Sequence, residues 1–190
     1  SGSPLHHQYY LDMLLPDGYA IDIVTNNIKV GGRCDLAARL LSPDGVKISE
    51  VTLKSGTFYN ETGLSVIYAS ETYPYTLVLA SYETTSITPN PSGTVTIKCS
   101  VYTISVTATH VMTSTYSEKS LKASNIDTNN GGTDHDPEPA SMISLRPGVL
   151  NDGSYVLCAS VGDSSGESVC TIVYRITSNF MVDKILDVTE

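Results

Sequence analysis

In the run Thr94 to Thr107 the chain first alternates at every step: Val95, Ile97, Cys99 and Val101 are apolar, and Thr96, Lys98 and Ser100 between them are polar. A period of two puts one set on each side of an extended strand and cannot form the buried stripe of a helix. After Val101 the apolar set moves to Tyr102, Ile104, Val106 and Ala108. A one-residue change of phase sends the opposite side of the strand inward. The sequence therefore predicts a bulge near Val101 that turns the chain between two sheets.

Turn chemistry supports the same class. Pro16-Asp17-Gly18 and Pro43-Asp44-Gly45 each stand between apolar alternations. Proline presets φ, aspartate bonds its own backbone and glycine takes a positive φ, so both read as hairpin turns. Further strands are expected over 64–69 and 75–82, and the apolar residues of 180–190 hint at a last one. Of 190 residues, 24 are Ser and 21 are Thr, and strong helix formers are sparse. The fold class is all-β: an antiparallel β-sandwich or flattened barrel of roughly 8 to 10 strands, with minor peripheral helix. Ser1-Gly2-Ser3 reads as an appended remnant, and residues 1–8 as a disordered end. Residues 9–190 are expected to form a single β domain with a long polar loop at 113–140.

The four cysteines allow three pairings. If the hairpin formed by 154–161 and 168–177 turns near Ser164, Cys158 faces Cys170, at a spacing a disulfide accepts. Cys34 then pairs with Cys99. A register slip of one residue changes this assignment. Asn60-Glu61-Thr62 is a glycosylation sequon in a predicted turn. Paired cysteines, the sequon and the Ser/Thr/Tyr-rich composition point to an extracellular location, secreted or displayed on a virion or cell surface.

A net charge of −9 opposes approach to nucleic acid or an anionic membrane surface. No apolar run reaches the ~20 residues of a membrane span, so neither nucleic acid binding nor membrane insertion is expected. Val106–His110 with Gly162–Gly166 resembles the histidine and serine boxes of chymotrypsin-like proteases, but Val111 replaces that family's cysteine and the oxyanion-hole glycine is missing. Nothing in the sequence brings a base to Ser164. Asp127 to Glu138 partly matches a calcium-binding loop, with Gly131 at a ligand position and Pro137 inside the frame. No catalytic residue, cofactor or metal is assigned.

Candidate contact residues are Tyr68, Tyr73, Tyr75 and Tyr82, whose rings and hydroxyls suit a protein or sugar surface, together with Asp134, His135 and Asp136 of the long loop. The expected function is non-enzymatic recognition on a surface, such as the protruding or spike domain of a viral capsid contacting a protein or glycan receptor, in a homo-oligomer. The alternatives are a secreted acidic decoy for a basic host protein such as a chemokine and, third, a hydrolase.

Overall fold

The computed structural model describes residues 7–60, 62–88, 94–123, 141–142, 148–162 and 168–189, and all regular structure among them is β. The first sheet has the order β1 (His7–Leu14), β2 (Ala20–Asn26), β3 (Arg33–Leu41), β4 (Lys47–Tyr59). The second runs β5 (Ser65–Ala69), β6 (Tyr75–Thr88), β7 (Thr94–Val106), β8 (Met112–Ala123). In the third, β9 (Ser141–Met142) pairs with β11 (Tyr155–Gly162), and the path is β10 (Gly148–Val149), β11, β12 (Ser168–Ile176), β13 (Val182–Thr189). Neighbours in order are neighbours in sequence, as hairpin connections require.

The chain divides into two compact units. Unit 1 takes the described residues up to Leu79 together with Tyr102–Tyr116, and unit 2 takes Ala80–Val101 and the described residues from Ser117 onward. In unit 1, Ile21, Ile23, Leu36, Ala38 and Leu40 of the first sheet pack with Tyr75, Leu77, Leu79, Tyr102, Ile104 and Val106 of the second, the face-to-face contact of a sandwich. In unit 2, Val95, Ile97, Leu157, Tyr174 and Ile176 are buried, and the Tyr174 hydroxyl donates to the Ile97 carbonyl at 3.2 Å. β7 contributes to both units. Its buried residues are odd-numbered from Val95 to Val101 and even-numbered from Tyr102 to Val106, so the expected change of phase falls at the boundary between units.

Six hairpin turns share one construction: Leu15–Tyr19, Lys29–Arg33, Ser42–Val46, Thr107–Val111, Leu150–Ser154 and Thr177–Met181. In each, the first residue's N–H donates to the fifth residue's carbonyl, and the fourth residue's N–H to the first residue's carbonyl. The fourth residue has positive φ in all six: Gly18, Gly32, Gly45, His110, Gly153 and Phe180. This is the three-residue loop ending in a left-handed residue that fits the twist of a β-ribbon. Where the first residue is Ser or Thr, its hydroxyl also accepts the fifth N–H, in Ser42–Val46 (3.2 Å), Thr107–Val111 (3.1 Å) and Thr177–Met181 (3.1 Å).

Three expectations are corrected. Residues 113–123 belong to β8 rather than to a loop. β8 is a sheet edge whose buried side chains include Met112, Ser117 and Leu121, so its composition stays polar. The remainder of the expected loop, with Asp134, His135 and Asp136, lies outside the described residues. Cys158 faces Val173, while Cys170 faces Val161, because the β11–β12 ladder pairs residues three positions beyond the expected register, with a further shift at Val161/Gly162. Cys34, Cys99 and Cys158 are free thiols, so neither expected disulfide forms. Cys34 lies in the unit 1 core, where its Sγ donates to the Phe58 carbonyl at 3.4 Å, and Cys99 belongs to unit 2. Residues 7 and 8, placed in the disordered end by the sequence, begin β1.

Candidate functional site: the turn cluster of unit 1

Four connections meet at one end of unit 1. The Leu15–Tyr19 turn reaches the Ser42–Val46 turn at Gly18, where an added Cβ would stand 3.6 Å from Pro43. The same turn reaches the Thr107–Val111 turn and the β5–β6 connection through the side chain of Asp17. That connection, Ser70–Pro74, is closed by the Ser70 N–H donating to the Thr76 carbonyl (2.9 Å) and the Thr76 N–H donating to Ser70 Oγ (2.7 Å).

Asp17 is the hub because a turn aspartate in the third position already bonds its own backbone. Its Oδ1 accepts the Tyr19 N–H at 3.4 Å and the Tyr73 hydroxyl at 2.6 Å, and its Oδ2 lies 2.8 Å from His110 Nε2. The His110 ring stacks on Tyr19, with centroids 3.7 Å apart and planes at 13°, and meets Tyr73 edge-on at 5.8 Å. The Tyr73 hydroxyl first, then His110 and the Tyr19 N–H, hold the Asp17 carboxyl below the usual carboxylate range. Burial, followed by the Asp17 carboxylate, pushes the Tyr73 hydroxyl up, so it keeps its proton and donates it. An ionised carboxylate can only accept, so Nε2 of His110 carries the hydrogen in this pair.

His110 adopts φ 62, a region that costs a side-chain-bearing residue roughly 1–2 kcal/mol relative to glycine. Contacts to Asp17, Tyr19 and Tyr73 offset that cost. Phe180 holds the equivalent place in unit 2 at φ 64, stacked on Tyr155 at 6.1 Å. Asp152, in Asp17's position of the neighbouring turn, accepts the Ser154 N–H (3.0 Å) and hydroxyl (2.5 Å). Phenylalanine has no donor to offer a carboxylate, so this bridging of turns by an ionisable pair belongs to unit 1.

The cluster stays accessible, with side-chain exposures of 38% for Asp17 and 22% for His110. Leu14, Val46 and Val111, at or beside the same turns, are 75%, 63% and 56% exposed. These aliphatic side chains and aromatic rings share the turns with the carboxylates of Asp17, Asp44 and Glu71, a mixture that resembles the make-up of a protein contact surface.

The structure separates the four tyrosines named from sequence. Tyr73 joins the cluster, and Tyr75 is a core residue at 3% exposure whose hydroxyl burial pushes up. Tyr68 is exposed on β5, and Tyr82 lies on the part of β6 assigned to unit 2. Asn60 stands at the far end of the first sheet, where its N–H donates to the Gly32 carbonyl at 2.9 Å. Ser164, the hydrolase nucleophile considered above, lies outside the described residues. Sequence reading missed Asp17, Tyr19 and His110. The signal available was the first-position hydroxyl repeated in Ser42–Val46, Thr107–Val111 and Thr177–Met181, which marks 107–111 as a turn although it lacks glycine.

A charged row crosses the side of the first sheet opposite Ile21 and Ile23: Asp12 faces Asp22, Asp22 faces Arg39 and Arg39 faces Glu50. Arg39 bridges Asp22 at 3.0 Å, and the hydrogen bond with Asp22 raises the Asp12 carboxyl. Among the described residues no group of three or more His, Cys, Asp or Glu could hold a metal ion. Comparison with protein-family models and with characterised proteins finds nothing that matches this chain.

Proposed function

We propose that this chain is a non-enzymatic recognition module displayed on the outside of a virion or cell, or secreted, and that the turn end of unit 1 is its contact surface for a receptor protein. One observation carries the reading: Asp17, Tyr19, Tyr73 and His110 are locked across three connections while Leu14, Val46 and Val111 stand exposed at or beside the turns of the same end. Rigid aromatic anchors ringed by aliphatic side chains give contact area at low entropic cost. The aliphatic ring favours a protein receptor over a glycan, which would draw on aromatic faces and hydroxyl-bonding groups instead. With three cysteines free, the extracellular placement rests on the Asn60 sequon and the composition. β2 and β3 separate Asn60 from the turn cluster, so a glycan there leaves the contact surface open.

The test is binding of fluorescently labelled protein to a panel of cultured cells, before and after surface proteolysis. Binding is expected on at least one cell type, is lost on proteolysis, and falls at least about tenfold in a V46E/V111E double variant, since charge in an apolar contact costs more than 1.4 kcal/mol. Equal binding by a folded double variant moves the contact surface elsewhere.

A further inference from the structure

Every polar contact of the Asp17 carboxylate among the described residues comes from a neutral group or from His110. Two donors reach Oδ1, and one reaches Oδ2. A carboxylate offers about four acceptor directions, so Oδ2 keeps one open. Among the described residues its only ion pair is with His110, and no lysine or arginine among them reaches it. By contrast, Asp22 is paired with Arg39, and Asp183 with Arg175 and Lys119. Asp17 is therefore an accessible carboxylate whose three donors fix its orientation and leave its charge uncompensated by a permanent cation.

The surroundings select the ligand further. The Tyr19 and Tyr73 rings pack against His110, whose Nε2 meets Oδ2, so aromatic rings border the carboxylate, and ring faces attract cations. The whole chain carries −9, of which −3 falls on the residues of unit 1 and −6 on those of unit 2, so a cationic partner is drawn in from a distance. A hydroxyl or amide could fill the open acceptor direction but gains nothing from this field.

We infer that the turn end of unit 1 receives a basic side chain, an arginine or lysine of the receptor protein, at Oδ2 of Asp17, beside the Tyr19, Tyr73 and His110 cluster. The inference rests on the proposed recognition surface and names the chemistry of its central contact. Arginine fits best, because its planar guanidinium can donate to the carboxylate while lying against a ring. The aliphatic side chains of Leu14, Val46 and Val111 then border the charged centre and exclude water from it.

The probe is N-acetyl-arginine methylamide, titrated at low ionic strength into the isotope-labelled protein and followed by amide shifts. The citrulline analogue, which keeps the shape but not the charge, serves as the control. Saturable shifts are expected at Asp17, Gly18, Tyr19, Tyr73 and His110. Affinity for citrulline should be at least about tenfold weaker, the difference a charge-assisted hydrogen bond makes. Asp17→Asn should abolish the preference, and the wild-type comparison stands even where that variant unfolds. Equal response to both probes, or shifts around Asp35 and Asp152 as large as those at Asp17, overturns the inference. The two proposals fail separately: if cell binding is lost in V46E/V111E yet kept in Asp17→Asn, the surface is right and its central contact is wrong.

Discussion

Gly45 and Gly32 both hold positive φ, at 78° and 85°, but in different surroundings. A Cβ on Gly45 meets nothing within 4 Å, whereas one on Gly32 would stand 2.5 Å from Asn60 Oδ1 and 2.7 Å from the Tyr59 ring. Gly45→Ala therefore isolates the backbone term, and a loss of roughly 1 kcal/mol is expected. Gly32→Ala adds a clash and should cost about 2–4 kcal/mol in denaturant titration. Equal costs would contradict this packing. Asp17 makes a pH prediction. Its folded-state carboxyl titrates below its unfolded value, so its stabilising contribution is complete above the unfolded pKa of about 4 and disappears as pH falls through the lower folded value. The difference in melting temperature between wild type and Asp17→Asn should thus shrink below about pH 4. A constant difference across that range would remove Asp17 from the clasp.

Strands and turns carry the next level of specificity. Asp35 of β3 accepts the Gly56 N–H at 2.6 Å and the Asn27 side-chain N–H at 2.9 Å, pinning β4 where its register against β3 shifts on both sides of Leu36. A bulged edge strand is a poor template for a stray chain, which protects β4 from edge-to-edge pairing. On β12, Tyr174 is fully buried and spends its hydroxyl on the Ile97 carbonyl of β7. Tyr174→Phe should destabilise by about 1 kcal/mol while leaving the β-sheet circular dichroism unchanged, since one hydrogen bond is lost and the ring still packs. A neutral substitution would mean that this bond contributes nothing.

At the scale of the whole molecule, the thiols provide the check on how the chain is held together. Cys34 and Cys99 are buried, and burial pushes both thiols up, Cys99 to about 12. Neither should react with a thiol reagent in the native protein, and both, with Cys158, should react once the chain is denatured without reductant. A Cys34–Cys99 linked peptide in a digest under non-reducing conditions would contradict the fold described above. The cores of the two units, held by burial and backbone pairing rather than by covalent staples, are within reach of a chain of 190 residues.

Much of this architecture is local and was legible residue by residue. Period two in 94–107 named β7 and located its change of phase, because alternation depends only on which side of a strand meets a core. Pro16-Asp17-Gly18 and Pro43-Asp44-Gly45 named their turns, because φ preference belongs to the residue itself. β8 escaped notice since an edge strand needs few apolar residues, and the β11–β12 register escaped since it depends on where a turn closes, not on composition. Of the turn cluster only Tyr73 was named in advance: Asp17 and His110 stand 93 positions apart, and His110 occupies a left-handed place that sequence assigns to glycine. Sequence alone determined strands, turns and charge, whose causes lie within a few residues. Only the tertiary structure decided which turns converge and which carboxylate is left facing out, because those follow from how two sheets stack and bring distant connections to one end.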